Sequence, residues 1–428
     1  MKIAVVSDFH LGAKQGTERE QDSFLQARES LEKALDEGAQ VILILGDIFD
    51  SRNPEQEVWS EAMKILSLPA EADNQGIELD RAIDRDQNEL TVLPLRGVPV
   101  VAIHGNHERR GKGFVDSVEA LESSGLLIKI HHNGIVFEAD GEKVAIQGMG
   151  YVPKQYAKTF IDEWDPEPVD DAVNLFLLHQ GLGQFSFSFE GESDLKPADL
   201  FEGFDLYLSG HVHYRIEDEV FGKPLIFPGS TFRTQLLPIE AEKSKGFYMI
   251  EVDSSEIGYD FIELDSVRDF CYGECKFDSA SSGEIEEEIR SKVNALLDDR
   301  CDGSSKTPLI RIILEGTLEK GVSRNDIDFN GIVEDFEDEA LLKISRSGLT
   351  SPDLEEKSEF LKDIREENIS MEERGLRLLE SNLEELEYDE TFDARGFYEF
   401  LSNENVDEAL DEVLEKVNNL VEDGEEID

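Results

Sequence analysis

The sequence predicts a mixed α/β protein in which short buried strands alternate with helices. Five short apolar runs, rich in leucine and β-branched residues, are each followed by glycine, and several segments between them show helical periodicity. Every run also ends in polar residues of a few types, at the position where α/β proteins concentrate their ligands. We therefore expect the functional site to lie where these strands end.

The polar residues at the five strand ends are aspartate, histidine and asparagine. In chain order they are Asp8 and His10, Asp47, Asn106 and His107, His179, and His211 and His213. Five of the eight histidines in the chain occupy these positions. A single histidine of this kind is usually a hydrogen-bonded structural residue, and we assign that role to His104, His131 and His132. Five strands that all end in this way indicate one shared site instead.

Histidine combined with carboxylate and amide oxygens is the donor set of a divalent ion such as Mn²⁺, Fe²⁺ or Zn²⁺, whereas magnesium and calcium sites use oxygen alone. Seven candidate ligands exceed the need of one ion. Two ions about 3.5–4 Å apart that share a bridging carboxylate would use all of them, and such a pair suits hydrolysis of a phosphate ester. His107, beside Asn106, is then the candidate general acid for the leaving oxygen. Glu108 is expected to position this loop.

The motifs D-x-H, G-D, G-N-H-E, H and G-H-x-H together resemble those of the calcineurin-like metallophosphoesterase superfamily. The resemblance implies a β-sandwich flanked by helices instead of a doubly wound sheet. It also implies two Mn²⁺ ions per chain, although other divalent ions fit the same donors. One ion would be held by Asp8, His10, Asp47 and His213, and the other by Asp47, Asn106, His179 and His211, with Asp47 as the bridge.

Residues after the last motif indicate one type of enzyme within this superfamily. A turn at Pro228 to Thr231 and the strand-like run KGFYMIEVD resemble the archaeal double-strand-break repair nucleases of the Mre-eleven type. The resemblance implies a two-metal nuclease that processes DNA ends, as a single-strand endonuclease, a 3′-to-5′ double-strand exonuclease or both. Many relatives have histidine where this chain has Asp50, so the chain departs from the family near the expected DNA path.

Resemblance and changes of pattern along the chain predict four segments. Residues 1–262 form the metallophosphoesterase nuclease domain, and residues 263–347 form a small α/β cap domain, which contacts DNA in this family. Residues 348–369 form a linker, and residues 370–428 form C-terminal helices that bind an SMC-like ATPase of the rad-fifty type. In the cap, Arg311, Lys343 and Arg346 are candidate phosphate contacts, although unpaired surface charges would show the same pattern.

Capping and apolar spacing predict the C-terminal helices. Ser370 and Glu373 form a capping-box pattern, and a first apolar stripe follows. The first stripe consists of Leu376, Leu379, Leu383 and Leu386, and a second consists of Val406, Leu410, Val413, Leu414 and Val417. Helices this short bury little surface by themselves, so their apolar faces either bind a partner or fold back onto the cap.

Two other segments are candidates for a homodimer interface. A helix with Asn53 as its cap and Pro54 at its first position is expected to carry one apolar stripe. Its residues are Val58, Trp59, Ala62, Met63 and Leu66, and a second stripe consists of Phe114, Val118 and Leu121. Core packing is the commoner role of such stripes, but the corresponding helices of this family pair across a two-fold axis. Between Leu68 and Leu93, an acidic insertion with few strand signals is expected to form a surface loop.

Acidic residues dominate the composition. The chain has 97 acidic and 41 basic residues and a net charge of −56, which is typical of a surface adapted to high salt, as in a halophile. Long-range attraction for DNA is therefore missing, and DNA binding must rest on local basic groups, metals and shape. No apolar run approaches the roughly 20 residues that span a bilayer, and the N-terminus does not resemble a secretory signal. A soluble, cytoplasmic protein without membrane contact is expected.

Two other functions are compatible with the motifs. The same metals would serve a metallophosphatase or small-molecule phosphodiesterase, although such an enzyme needs neither the cap nor the C-terminal helices. The chain could instead be mainly a non-catalytic adaptor that binds DNA ends for the ATPase, although the complete ligand set favours catalysis.

Overall fold

Two β-sheets with helices on their outer faces make up most of the structure, a computed structural model. It describes residues 1–87, 90, 93–111, 113–185, 195–253, 256–300, 306–352, 370–385, 395–396, 398 and 410. In chain order the elements up to the last motif are β1 (Lys2–Val6), α1 (Asp22–Asp36), β2 (Val41–Ile44), α2 (Gln56–Glu71), β3 (Glu78–Ile83), β4 (Val100–Ala102), α3 (Ser117–Ser123), β5 (Ile128–Lys129), β6 (Asn133–Ala139), β7 (Glu142–Met149), α4 (Lys154–Glu163), β8 (Val173–Leu178) and β9 (Leu206–Ser209). The later elements are β10 (Ile216–Val220), β11 (Lys223–Phe227), α5 (Pro238–Glu242), β12 (Gly246–Asp253), β13 (Glu256–Glu263), β14 (Phe270–Ala280), α6 (Ser282–Arg300), β15 (Leu309–Leu318), α7 (Phe329–Asp335), β16 (Leu341–Thr350) and α8 (Met371–Glu385).

The five apolar runs of the sequence are strands of two different sheets. A six-stranded sheet has the order β13-β12-β1-β2-β4-β5, and a seven-stranded sheet has the order β10-β11-β9-β8-β7-β6-β3. β1, β2 and β4 run parallel in the first sheet, as β8 and β9 do in the second. The carboxyl ends of β1, β2 and β4 therefore lie along one edge of their sheet, and those of β8 and β9 lie along one edge of theirs.

Successive residues of the central strands face different cores, because side chains of a strand alternate between its two faces. In β1, Ile3 and Val5 belong to the core between the two sheets, whereas Ala4 and Val6 belong to a core that also contains residues of α1, α2 and α3. The outer face of the seven-stranded sheet packs in the same way with α4. Burial on both faces explains the continuous apolar runs, and it confirms the predicted sandwich flanked by helices.

The segment between Leu68 and Leu93 is not simply the expected surface loop. α2 continues to Glu71, and β3 pairs antiparallel with β6 at the edge of the seven-stranded sheet. Leu79 and Ala82 pack against the core between the sheets, but every residue of β3 is exposed or half-buried. An edge strand of this kind tolerates charged residues, so its sequence lacks the apolar run that identifies a central strand.

The stripes proposed for a dimer interface contribute mostly to the core of the chain. Val58, Ala62, Leu66, Val118 and Leu121 are buried. The side chains that remain for a partner are Met63, which is 42% exposed, and Phe114, which is 70% exposed. α2 begins at Gln56, so the predicted start at Pro54 is wrong, because Glu55 still has an extended backbone.

Contacts divide the chain into two compact units. The first comprises Met1–Gly273, Lys292–Ile312 and Val333–Lys343, and the second comprises Glu274–Ser291, Ile313–Ile332 and Ile344–Asp428. The strands β14, β15 and β16 form a three-stranded sheet in that order, with α6 and α7 between them along the chain. This is the small α/β pattern expected after the sandwich. The boundaries of the four predicted segments stay predictions.

The described part of the C-terminal region contains α8. The hydroxyl oxygen of Ser370 accepts a hydrogen bond from the backbone N–H of Glu373 at 3.1 Å, as its capping pattern predicts. Leu378 and Leu379 of α8 are exposed. Leu386 lies outside the described residues. The second predicted stripe also lies outside them, except for Leu410. None of the described helices is both long and apolar enough to cross a membrane.

Candidate metal centre

The predicted ligands follow strands of both sheets, and their loops have unusual backbone conformations. Positive φ angles occur at Asp8 (52°), His10 (46°), Asp47 (49°) and His211 (77°). Such angles are uncommon for residues other than glycine, and each costs about 1–3 kcal/mol, which contacts elsewhere in the fold must offset. Strain of this kind clusters at functional sites, so the three loops that carry these residues have the backbone geometry of ligand-bearing segments.

Glycines in the motifs let these loops approach one another. A Cβ atom at Gly105, in the motif G-N-H-E, would collide with the carboxylate of Asp47. A Cβ atom at Gly210, in the motif G-H-x-H, would collide with the backbone oxygen of Leu45. The glycines are therefore required by the close packing of neighbouring strand ends.

The structure brings together the four residues of the first predicted ligand set, Asp8, His10, Asp47 and His213. Their potential ligand atoms all lie within 4.8 Å of one another. Nε2 of His10 lies 3.2 Å from Nε2 of His213 and 3.8 Å from Oδ2 of Asp47, and Nε2 of His213 lies 3.8 Å from Oδ1 of Asp8. Asp8, His10 and Asp47 are buried, so these polar atoms have little access to solvent.

The second predicted set is joined by contacts around Asn106. Its Oδ1 lies 3.2 Å from Nε2 of His179 and 2.9 Å from Nδ1 of His211. Nε2 of His179 also lies 3.4 Å from Oδ2 of Asp47. The same carboxylate oxygen therefore faces one histidine of each set, which is the position expected of a bridging ligand.

His179 shows why these residues fit a cation. Its Nδ1 lies 2.6 Å from the backbone oxygen of Leu45, so Nδ1–H donates there and Nε2 of the neutral ring is an acceptor. This acceptor faces two further acceptors, the oxygens of Asn106 and Asp47. Lone pairs aimed at one another repel unless a proton or a cation lies between them. Imidazole, carboxylate and amide donors together fit a borderline divalent ion.

The charges within the site also indicate that these residues fit a cation. Burial alone would lower the pKa of His179, but Asp47 and Asp8 outweigh it and raise the pKa to about 9. Burial alone would raise the pKa of Asp47, but His179 and His10 hold it below its usual range. Burial, supported by His179, lowers the pKa of His211 to about 4. Without a cation, a proton on His179 must therefore compensate the buried carboxylates at neutral pH.

Glu108 holds two of the loops that carry ligands. Its carboxylate is fully buried and accepts hydrogen bonds from the backbone N–H groups of Asp47 at 3.0 Å, Phe49 at 2.8 Å and Gly105 at 2.7 Å. Burial and the charge of Asp47 raise the pKa of Glu108 to about 8. The contacts agree with the positioning role expected for this residue.

His213 is supported by the residue before β12 and by the loop before α5. The buried ammonium of Lys245 donates to the backbone oxygen of His213 at 2.5 Å and to Oε1 of Glu240 at 2.7 Å. Nδ1 of His213 lies 2.7 Å from the hydroxyl of Thr234. Partners of this kind fix the orientation of a ligand and tune its basicity.

Asp50 and His107 lie beside the first ligand set. Oδ1 of Asp50 lies 3.2 Å from Nδ1 of His10, so a carboxylate faces the side of the imidazole opposite Nε2. Nδ1 of His107 donates to the backbone oxygen of Asp50 at 2.6 Å, and its backbone N–H donates to Oδ1 of Asp47 at 2.9 Å. His10, Asp50 and His107 also form a group of potential metal ligands.

A cavity of about 240 Å³ opens onto this site. Asp47, Asn106, His107, His211 and His213 line it together with Phe185, Tyr214 and other residues. The cavity therefore places His107, the candidate acid, beside residues of both predicted ligand sets. A phosphate group that entered it would meet ligands and acid at once.

The histidines assigned to structure form a separate group. The ring centroids of His104 and His131 lie 4.7 Å apart, and those of His132 and Trp164 lie 5.0 Å apart. Burial lowers the pKa of His104 to about 4 and that of His131 to about 3, so both rings are neutral at pH 7. These neutral rings agree with the structural assignment.

Sequence reasoning missed the supporting contacts of Asp50, Thr234 and Lys245. In the sequence, Asp50 is distinguished only as a departure from relatives, and Lys245 belongs to the strand motif KGFYMIEVD. A charged residue at the start of a buried strand, as in KGFYMIEVD, was a signal that its charge must be paired. Nothing near Thr234 in the sequence indicates its contact with His213.

Comparisons with known proteins found a matching family model and several similar proteins. The model of the family described as Calcineurin-like phosphoesterase matches residues 1–215, which contain every predicted ligand. The chain is 30% identical to the DNA double-strand break repair protein Mre11 of Methanopyrus kandleri, over 68% of this chain and 62% of the relative.

Two more curated relatives match over similar lengths. The double-strand break repair protein MRE11 of Encephalitozoon cuniculi is 27% identical, over 70% of this chain and 53% of the relative. The DNA double-strand break repair protein Mre11 of Sulfolobus acidocaldarius is 25% identical, over 74% of this chain and 76% of the relative. The matched region thus spans from about half to about three quarters of these relatives.

We predict that Asp50→Asn weakens the binding of divalent metal. The amide keeps the size of the side chain but removes the charge that faces His10, and loss of such a partner typically costs about 10- to 100-fold in metal affinity. Asp140→Asn is the matched control, because Asp140 is exposed in the β6–β7 turn at a positive φ that asparagine also adopts. Titration calorimetry with Mn²⁺ measures both, and equal affinities in the two variants would contradict the role of Asp50.

We also predict that metal binding releases a proton near pH 7. His179 has a pKa of about 9 without a cation, so it is protonated at pH 7, whereas a ligand must present a lone pair. His211, with a pKa of about 4, has no proton to lose. The apparent metal affinity should therefore rise by up to about tenfold per pH unit between pH 7 and pH 9. Calorimetry in buffers of different ionisation enthalpy counts the protons, and a count near zero at pH 7 would be the opposing result.

Proposed function

Since the chain belongs to the calcineurin-like phosphoesterases, we propose that it is a two-metal phosphodiesterase that cleaves DNA at broken ends. Membership of this family implies divalent metal binding. The observation that carries the proposal is the shared carboxylate, because Oδ2 of Asp47 faces His10 at 3.8 Å and His179 at 3.4 Å. One set of ligands would then be Asp8, His10, Asp47 and His213, and the other Asp47, Asn106, His179 and His211.

Mn²⁺ is the ion that we propose for both positions, because the donors mix imidazole nitrogen with carboxylate and amide oxygen. Two such ions, when bound, would supply positive charge to a phosphate oxygen and lower the pKa of water. Glu108, Lys245 and Thr234 hold the ligand loops in place through the contacts described above. The chain itself thus supplies orientation and proton transfer.

His107 is the proposed general acid. Its Nδ1 donates to the backbone oxygen of Asp50, so the proton that it can transfer is on Nε2. The ring lines the cavity next to Asn106 without belonging to either ligand set. Transfer of this proton to the leaving sugar oxygen would prevent the build-up of alkoxide charge.

DNA is the proposed substrate because the curated relatives are named for double-strand break repair. The cavity at the metal centre supports a diester of nucleosides. Phe185 and Tyr214 line it, and aromatic rings are the surfaces on which unpaired bases stack. We propose single-strand endonuclease or 3′-to-5′ exonuclease action on DNA ends.

The proposed partners are a second copy of the chain and an SMC-like ATPase of the rad-fifty type. Exposed Met63 and Phe114, from the two predicted stripes, are available for a homodimer. Exposed Leu378 and Leu379 of α8 are available for the ATPase. We further propose that the protein works in the cytoplasm.

His107→Asn is expected to lower cleavage of single-stranded DNA by about 100-fold or more, the usual contribution of a general acid. Metal content should stay unchanged, because the variant keeps all seven proposed ligands. The control is His132→Asn, since His132 lies at φ 62°, where asparagine is well tolerated. Steady-state cleavage and elemental analysis measure both effects, and undiminished cleavage by the His107 variant would defeat its assigned role.

The chain is expected to hydrolyse diesters in preference to phosphate monoesters. Among the described residues that line the metal cavity there is no lysine or arginine, which a dianionic monoester would favour. Initial rates with Mn²⁺ on single-stranded DNA, bis(p-nitrophenyl) phosphate and p-nitrophenyl phosphate make the comparison. Faster turnover of the monoester would favour the metallophosphatase, and no turnover of any of the three would favour the non-catalytic adaptor.

A further inference from the structure

A second cavity in the first compact unit combines positive charge with apolar walls. It has a volume of about 580 Å³, within the range of small-ligand pockets. Lys14, Arg19 and Lys343 line it, together with Leu236, Leu309 and Leu342. We call it the cation cavity. Glu18 and Glu337 also line it, so its positive groups lie in a mixed rim and do not form a uniform patch.

The positive groups of the cation cavity are close enough to repel one another. Burial lowers the pKa of Lys343, and the charges of Arg311, Lys14 and Arg19 lower it further. Nη1 of Arg311 donates to the backbone oxygen of Leu236, which places this guanidinium against the cavity wall. Mutual repulsion in a chain of net charge −56 raises the free energy of the unliganded cavity, and an anion would relieve it.

These charges are unequally compensated by the protein. Nε of Arg19 lies 3.4 Å from Oδ2 of Asp22, which is buried like Arg19 itself. Within the ranges that the structure describes, Lys14 and Lys343 have no ion-pair partner of this kind. The two ammonium groups are therefore the ones available to a ligand.

The apolar wall is part of a small packed cluster. Leu236 and Leu309 pack with Phe270, and half-buried Leu341 packs against them. A ligand that contacts both the positive groups and the apolar wall must carry an anionic group next to an apolar or aromatic one. A nucleotide has this chemistry, because its phosphate is an anion and its base has two π-faces.

The cation cavity adjoins the metal centre. Gln235 lines both cavities, so they share part of one wall. A strand whose scissile phosphate lies at the metal centre would therefore continue past Gln235 into the cation cavity. Only a base that is not stacked in a duplex can lay a face against the leucine wall, so we infer that the nucleotide held there is unpaired.

We propose that the cation cavity binds one unpaired nucleotide of the substrate strand, with its phosphate on Lys14 and Lys343 and its base or sugar on the leucine wall. This inference rests on the proposed function and adds a specific subsite to it. It also names the local positive site through which a strongly acidic chain holds DNA.

The test is equilibrium binding of a fluorescein-labelled single-stranded oligonucleotide to the full chain, followed by anisotropy in EDTA. Lys343→Gln and Lys14→Gln should each weaken binding roughly tenfold, as expected for loss of one charge-assisted hydrogen bond. Each should also reduce the slope of log K against log salt concentration by about 0.7, the value per phosphate contact on a single strand. Lys223→Gln is the control of equal charge, because Lys223 lies on β11 outside the cavity and pairs with Asp205.

An affinity and a salt slope that are the same in Lys343→Gln and Lys223→Gln would overturn the proposal. A second result would also overturn the proposal: Lys343→Gln and Lys14→Gln bind orthophosphate more weakly than the unaltered chain but bind the oligonucleotide equally well. The cavity would then be a site for free phosphate. Hydrolysis of bis(p-nitrophenyl) phosphate by the unaltered chain with Mn²⁺ reports separately on the metal centre. Its absence would reject the proposed function, while the metal-free binding assay would still decide the role of the cation cavity.

Discussion

Repulsion between buried acceptor atoms, relieved by positive charge, is the constraint on which this structure depends. The carboxyl ends of strands from two sheets bring Asp8, Asp47 and His179 together out of solvent, and Oδ2 of Asp47 faces a histidine of each ligand set. A neutral His179 would direct a lone pair at the oxygens of Asn106 and Asp47 there. A fold that buries such a group is organised around a cation, as the family to which the chain belongs requires.

The surrounding structure keeps these ligands in place at a measurable cost. Left-handed backbone at Asp8 and Asp47, a fully buried carboxylate at Glu108 and a buried ammonium at Lys245 are each unfavourable in isolation. They are compensated by specific contacts: three backbone N–H groups surround Glu108, and Glu240 and the backbone oxygen of His213 surround the ammonium. The metal centre therefore depends on a supporting layer that is itself polar and buried.

Charge acts differently at long and short range in this chain. A net charge of −56 opposes the approach of any polyanion, yet high salt screens that repulsion beyond a few ångströms. Contacts inside a cavity are screened much less, so a few lysines next to apolar walls can dominate binding. The cation cavity, which shares Gln235 with the metal cavity, is placed where such contacts would align a strand.

The sequence by itself determined the five strands and the candidate ligands that follow them, because burial on both faces leaves continuous apolar runs and each candidate lies within a few residues of its strand. It did not reveal the polar edge strand β3, the contact between Lys245 and the backbone of His213, or the approach of Lys14 to Lys343. Only the tertiary structure decided these. They join residues that are distant in the chain, and periodicity and local spacing carry information only about neighbours in sequence.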